Sequence, residues 1–340
     1  MSSPYIVENI SVTRIMLQVL IGLLPGIAAY AWYFGPAILV SITLATVTAL
    51  VAEAAMLKAR GVPVTLFLSD LSAVVTAWLL ALSLPPLAPW WLIVAATAFA
   101  IVVAKQLYGG LGNNPFNPAM VGYAVMIISF PVQMTQWPAP LELATVHLNF
   151  IDQLGYIFLN QLPPGVKLDG ISMATPLDTV RTQLHLDKTL SEIAGQPIFG
   201  DWGGKDGERV ALAFLLGGLY LLQQRVITWH MPAAFIAALG LTASVLYGVD
   251  NARYAGPLFH LLTGAALLGA FFIVTDPVTG ATTPKGKLIF AAGAGFLTCI
   301  IRVFGGYPDG VAFAVLLMNL CVPLIDMYTQ PPVFGNKGGK

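Results

Sequence analysis

Long apolar runs separated by short polar breaks dominate the chain. A helix that crosses about 30 Å of hydrocarbon needs roughly 20 mostly apolar residues. Windows of that kind predict helices at residues 16–34, 36–56, 70–84, 90–107 and 118–132, and again at 210–223, 233–247, 258–274, 288–303 and 310–327. The expectation is an all-α polytopic membrane protein with ten transmembrane helices, several of them short. A polar insert separates the fifth helix from the sixth. The chain then divides into a first membrane unit (1–132), an exposed loop (133–209), a second membrane unit (210–328) and a tail (329–340). Trp32, Trp90, Trp91, Trp229 and Tyr247 mark span ends, where amphipathic rings favour the membrane interface.

Composition agrees, with 57% hydrophobic and only 9% charged residues over 340 positions. Soluble chains carry about 25% charged residues. A net charge of zero gives no electrostatic footprint for nucleic acid. Cys299 and Cys321 lie in apolar runs, without the close spacing of a zinc or iron-sulfur site. His147, His185, His230 and His260 have no partners at metal-ligand spacing, so no metal centre is expected. The first residues stay polar until Ile15 and run into a full-length span, which argues against a cleaved signal.

Basic residues in short loops set the orientation. With the N-terminus inside, the inner segments hold Arg14, Lys58, Arg60, Lys105, Arg225, Lys285, Lys287, Lys337 and Lys340, whereas short outer loops hold only Arg253 and Arg302. Both termini are expected in the cytoplasm of a bacterial cell and loop 133–209 on the periplasmic side of the inner membrane. Long loops cross regardless of charge, so Lys167, Arg181, Lys188, Lys205 and Arg209 do not disturb this reading.

Within that loop, Asp169-Gly170-Ile171-Ser172-Met173-Ala174-Thr175-Pro176-Leu177 matches the pattern read by a flavin transferase: Asp, two residues, Ser or Thr, one residue, Ala-Thr. Such an enzyme moves the FMN half of FAD onto a threonine hydroxyl. Thr175 is the expected anchor, in an accessible and flexible segment. Asp169 and Ser172 serve recognition, and the small Ala174 leaves room for the transferase. No redox residue is required, because the ring carries the electrons. The plain alternative is a threonine capping a turn before Pro176.

Asp276-Pro277-Val278-Thr279-Gly280-Ala281-Thr282 fits the same pattern, with Gly280 making it nominally the better match. Its place on the inner side, out of reach of an exported transferase, favours Thr175 over Thr282.

Tyr108-Gly109-Gly110 after the fourth helix resembles Phe304-Gly305-Gly306 after the ninth, and Pro85-Pro86 after the third parallels Asp276-Pro277 after the eighth. Five helices per half make this an inverted repeat, in which interrupted segments at matching places point to the central site. Helices 3 and 8 and the two Gly-Gly corners are therefore expected to line the middle of the molecule. The stretch from Gly109 to Pro118 forbids a continuous helix, and its freed backbone must face protein, water or ligand. Asn114 and Asn117 either satisfy that backbone or hold the uracil-like edge of a second flavin. Asp70 is expected to cap helix 3 rather than to bind an ion, and Glu53 and Asp326, near inner helix ends, to be solvated rather than to touch a cation or a subunit. Almost no charge is expected at mid-span, against a self-contained proton relay.

Together, the ten spans, the corner from Tyr108 to Pro118, the anchor from Asp169 to Leu177, and Thr275-Asp276-Pro277-Val278-Thr279 with Pro284-Lys285-Gly286 resemble one membrane-protein family over nearly the whole chain. It holds the D subunit of the Rnf ion-translocating electron-transport complex and the B subunit of the sodium-pumping NADH:quinone oxidoreductase. Met173 departs from the wider motif, which often has Gly there; the absence of a longer N-terminal extension favours the Rnf side. The resemblance implies covalent FMN on Thr175, a second noncovalent flavin (riboflavin), and electron transfer coupled to Na+ or H+ movement. It also implies work only within a complex of membrane, flavoprotein and iron-sulfur subunits that exchanges electrons between ferredoxin and NAD. A channel or secondary transporter of related fold with an unmodified Thr175, or a cofactor-free scaffold, remains the alternative.

Overall fold

The structure is a computed structural model that describes residues 11–330; residues 1–10 and most of the tail, including Lys337 and Lys340, lie outside it. Helices α1 (Val12–Phe34) and α2 (Ala37–Ala59) meet at a tight corner. Gly35 takes φ of 97° there, a left-handed backbone open to glycine, before Pro36 restarts the helix. The short α3 (Val64–Leu68) leads to α4 (Ser72–Ser83), and α5 (Trp90–Phe99) widens into a π-helical turn at Ala100–Gln106 before α6 (Pro118–Ser129).

Each twelve-residue helix, α4 and α6, rises about 18 Å at 1.5 Å per residue and cannot cross the hydrocarbon alone. The non-helical backbone next to α4 is buried in protein, with Leu84 and Ala88 hidden. Ser41 on α2 donates to the Pro86 carbonyl at 3.0 Å, satisfying a group left over by the Pro85-Pro86 break.

The insert is ordered over its length. It runs through α7 (Pro131–Met134), β1 (Trp137–Pro138), α8 (Phe150–Leu159), a 3-10 turn at Leu168–Gly170, β2 (Ser172–Met173), α9 (Pro176–His185) and α10 (Leu190–Ile193). β1 and β2 pair antiparallel, Trp137 opposite Met173 and Pro138 opposite Ser172. Leu141 N–H donates to the Tyr33 carbonyl, and Leu190 N–H to that of Ala252, tying the insert to helix ends of both halves.

The second half contains α11 (Gly207–Gln223), α12 (His230–Val249), α13 (Pro257–Leu262), α14 (Ala266–Leu268, continuing as a π-helical turn Gly269–Ile273), α15 (Pro284–Phe304) and α16 (Val311–Thr329). The eighth predicted span is therefore two pieces rather than one helix. At its break Gly264 takes φ of 60°. The break survives because buried Arg302 donates to the carbonyls of His260 (2.6 Å) and Thr263 (3.1 Å) and pairs with Asp309 at 3.0 Å. Asp309 accepts from Ala265 N–H at 2.7 Å. One ion pair thus satisfies the backbone groups that a broken helix leaves bare.

Every predicted span coincides with apolar helix, and among the described residues five helices are long and apolar enough to cross a bilayer singly: α1, α2, α12, α15 and α16. The chain is a mostly helical, multi-pass membrane protein. Neighbours recur between the halves. α1 packs on α4 as α11 packs on α14; α2 on α4 as α12 on α13; α2 on α5 as α12 on α15; and α6 follows the π turn of α5 as α16 follows α15. The halves meet through α1 against α11 and α6 against α16. The first of these seams is made of glycines: a Cβ on Gly217 would overlap the Gly22 carbonyl, so the backbones touch as only small residues permit.

Candidate functional site

Among the described residues two cavities open within the bundle, and their linings adjoin. The outer one, about 200 Å³, lies beneath the insert and is lined by Tyr30, Phe34, Met120, Tyr123, Trp137 and Phe214, with Thr175, Lys205, Ala265 and Asp309 at its polar positions. The inner one, about 160 Å³, holds Ser72, Thr76, Lys105, Asn114, Asn117, Thr275 and Asp276 among apolar side chains of α1, α4 and α11. Neighbouring residues divide between them: Ala119 and Phe272 line the inner cavity, Met120 and Ile273 the outer. Side chains of the two linings touch. Phe214 and Phe272 meet edge-on at 6.2 Å between ring centres.

Thr175 stands at the cap of α9, its hydroxyl accepting from Asp178 N–H at 3.2 Å, with Pro176 in the first helical position. The capping alternative thus describes its local role, yet the same side chain also lines the outer cavity. A phosphoester would keep the bridging oxygen as an acceptor, so capping and attachment are compatible. The segment is not the flexible one expected. Ser172 is paired in the two-stranded sheet and donates to the Leu168 carbonyl at 3.0 Å, while Asp169 and Ala174 stay exposed and Thr175 is half-buried. Strand pairing before the anchor and a capped helix after it fix the direction of Thr175. The wall of aromatic and methionine side chains suits a flat isoalloxazine, and the residues present fit an FMN on Thr175.

Lys205 reaches from this cavity to Glu142 at 3.0 Å, and that hydrogen bond and charge hold the Glu142 carboxyl below its ordinary value.

In the inner cavity Asn117 caps α6, accepting from Met120 N–H at 3.2 Å. Its own N–H donates to Asn319 Oδ1 at 3.1 Å, and its amide reaches Asp276 at 3.4 Å. Asn114 donates to the Phe116 carbonyl at 3.1 Å. Both readings of these amides therefore meet in one place: they satisfy the broken backbone and also line a cavity. Asn319, which sequence reasoning missed, donates in turn to the Thr279 carbonyl at 2.9 Å and links the α6 corner to the turn before α15.

That turn is the second transferase-like motif. Asp276 accepts from Val278 N–H (3.0 Å) and Thr279 Oγ1 (2.9 Å), and Thr282 donates through both its N–H and its hydroxyl to Asp326. Asp326 is engaged rather than simply solvated. Thr282 lies away from the lining of either cavity.

The two Gly-Gly corners do not converge on the middle of the molecule. Leu111 and Asn114 of the first line the inner cavity, Pro308 and Asp309 of the second the outer. They also differ in backbone, since Gly109 and Gly110 take positive φ whereas Gly305 does not. The third and eighth predicted spans each line both cavities, through Ser72 and Phe272 in the inner one and Leu82 and Ile273 in the outer. Asp70 accepts from Ser72 N–H at 2.7 Å, capping α4 from one residue before its cap position, where Leu71 takes φ of 65°.

The expected solvation of Glu53 is overturned, as is the place of Lys105 among loop anchors. Both are 2% exposed, and they pair at 2.6 Å. Arg302 is likewise buried on α15 rather than in an outer loop.

A model of the family described as "NQR2, RnfD, RnfE family" matches residues 1–335. The chain belongs to that family. It is 53% identical to the D subunit of the ion-translocating oxidoreductase complex of Salmonella heidelberg (strain SL476), over 99% of this chain and 98% of the relative. The protein of the same name from Salmonella typhimurium (strain LT2) is equally similar over the same shares, and that from Salmonella newport (strain SL254) is 52% identical.

Proposed function

We propose that the chain is the membrane-embedded D subunit of an ion-translocating oxidoreductase complex of the ferredoxin/NAD type, and that it passes electrons between a covalent FMN on Thr175 and a noncovalent riboflavin. The observation that carries this reading is Thr175 on the wall of a cavity lined in part by aromatic rings, whose lining touches that of a second cavity through Phe214 and Phe272. FMN supplies the redox chemistry once attached. Thr175 anchors it, β2 and α9 aim the anchor, Asp169, Ser172 and Ala174 present the motif to the transferase, and the outer cavity's aromatic wall excludes water. Asn114 and Asn117 hold the second flavin. The family spans both kinds of complex, and the relatives named as the D subunit of an ion-translocating oxidoreductase complex support the Rnf-type reading over a quinone-reductase one.

The recurring helix neighbours support ten spans in two inverted repeats, with units 1–132, 133–209, 210–328 and 329–340. The orientation places the insert in the periplasm and both termini in the cytoplasm, in a bacterial inner membrane. Flavoprotein and iron-sulfur subunits are the partners, and the coupling ion is Na+ or H+. The test is a purified chain, co-expressed with an active flavin transferase and resolved by gel fluorescence: a flavin signal in the wild type and in Thr282→Ala, absent in Thr175→Ala, supports the reading. A transporter without flavin gives no signal in any of the three.

A further inference from the structure

We infer that Lys105 is the charge-compensating residue of the inner cavity, placing an ammonium against a bound isoalloxazine and favouring its electron-loaded form. The inference rests on the two-flavin reading and adds to it a residue with a defined electrostatic task.

Four observations converge. First, Lys105 sits on the π-helical turn Ala100–Gln106, whose extra residue per turn brings both Lys105 and Gln106 inward. Such bulges cluster at functional sites. Second, Lys105 lines the inner cavity although it is only 2% exposed. Third, its ammonium donates to Glu53 at 2.6 Å and to Ser72 at 2.7 Å. An ammonium has three donors, so one remains for a ligand. Fourth, Gln106 donates to the same Glu53 oxygen at 2.7 Å, leaving the other, Oε2, buried without a partner among the described residues. A buried ion pair is a weak device for stability, because desolvation offsets the attraction. A buried cation aimed at a cavity is instead well suited to meet negative charge that appears there.

The charges around it support that task. Ser72 is itself held by Asp70, to which its hydroxyl donates at 2.6 Å. Asp276 is turned into its own loop, toward Val278, Thr279 and Asn117. Asn114, Asn117 and Thr275 are neutral. Among these lining side chains Lys105 is the cation. When one electron leaves the reduced flavin on Thr175, that donor is oxidised by one electron and the acceptor ring gains one negative charge. No bond breaks, and no proton has to move. Lys105 is placed to stabilise that added charge, and Glu53 positions Lys105.

The experiment uses the full-length Thr175→Ala chain, so that the only flavin signal is noncovalent, and compares it with the same chain carrying Lys105→Met or Lys105→Arg. Acid-extractable flavin is quantified, and the one-electron reduction potential is read by spectroelectrochemical titration. Titrated at saturating riboflavin, Lys105→Met is expected to lose at least tenfold in the one-electron reduction equilibrium, about 59 mV. Lys105→Arg should stay within about threefold of the parent. Because Lys105→Met alone strands a buried carboxylate whose charge would itself depress the potential, the double variant Glu53→Gln, Lys105→Met, which leaves the local net charge unchanged, is measured beside it; a loss of at least threefold there is expected and assigns the effect to the placement of the ammonium. Flavin bound at an unchanged potential in the Lys105→Met or double variant overturns the role of Lys105 alone. A parent chain without extractable flavin overturns that role and the two-flavin reading together.

Discussion

The outer and inner cavities are cut into the same bundle and both are largely apolar, yet rings mark the lining of one, while amides, hydroxyls, a carboxylate and a buried cation interrupt the lining of the other. The contrast follows from how each would hold its ligand. A ligand tethered through Thr175 needs no polar recognition, because the covalent bond fixes it; an apolar slot then suffices to exclude water. An untethered ligand must be held by hydrogen bonds, and at this depth every polar group that offers one must also be satisfied when the ligand is absent. That requirement explains why Asn114 and Asn117 each serve a backbone group while lining the inner cavity.

The comparison breaks most sharply at the inner cavity's ion pair. Glu53→Ala leaves Lys105 buried without its carboxylate and is expected to cost about 3–5 kcal/mol. Thermal unfolding in detergent should show the loss, and Glu53→Leu with Lys105→Met should recover most of it. A small effect in the single variant would mean that water reaches this pair. Next comes Arg302→Met, which strips hydrogen bonds from two carbonyls and leaves Asp309 unpaired, for about 2–3 kcal/mol. Its damage should centre on the outer cavity, through Ala265 and Asp309, and hydrogen exchange around residues 260–268 should rise before exchange elsewhere does.

Asn117→Ala removes a helix cap worth about 1 kcal/mol. It should weaken noncovalent flavin retention about tenfold while covalent flavin on Thr175 stays intact, which separates the two cavities directly. The smallest effect concerns pH at the insert. Lys205 lowers the Glu142 pKa, so the tether between them is fully present above the ordinary carboxylate value of 4.5 and lost as pH falls through the lower folded value. Exchange in the insert should quicken in acid, and Lys205→Met should abolish that dependence without changing covalent flavin content.

Much of the bundle was legible, because membrane helices announce themselves by run length alone. What stayed hidden was set by partners distant in sequence. Lys105 and Arg302 look like loop anchors at the ends of apolar runs, and nothing local shows that Glu53 or Asp309 awaits them. The break at Thr263-Gly264 carries no proline, and the π turn at Ala100–Gln106 has no composition of its own. The anchor motif was legible because a transferase reads contiguous residues. Its rigidity was not, since β2 owes its order to Trp137 and Pro138, far earlier in the chain.

The central claim is that Thr175 carries a flavin while Thr282, nominally the better match to the motif, does not. Intact mass of the chain co-expressed with an active flavin transferase tests it most directly, with Thr175→Ala and Thr282→Ala alongside. The account predicts one increment of FMN less one water in the wild type and in Thr282→Ala, and none in Thr175→Ala. An increment that persists in Thr175→Ala, or none in any sample, would contradict it.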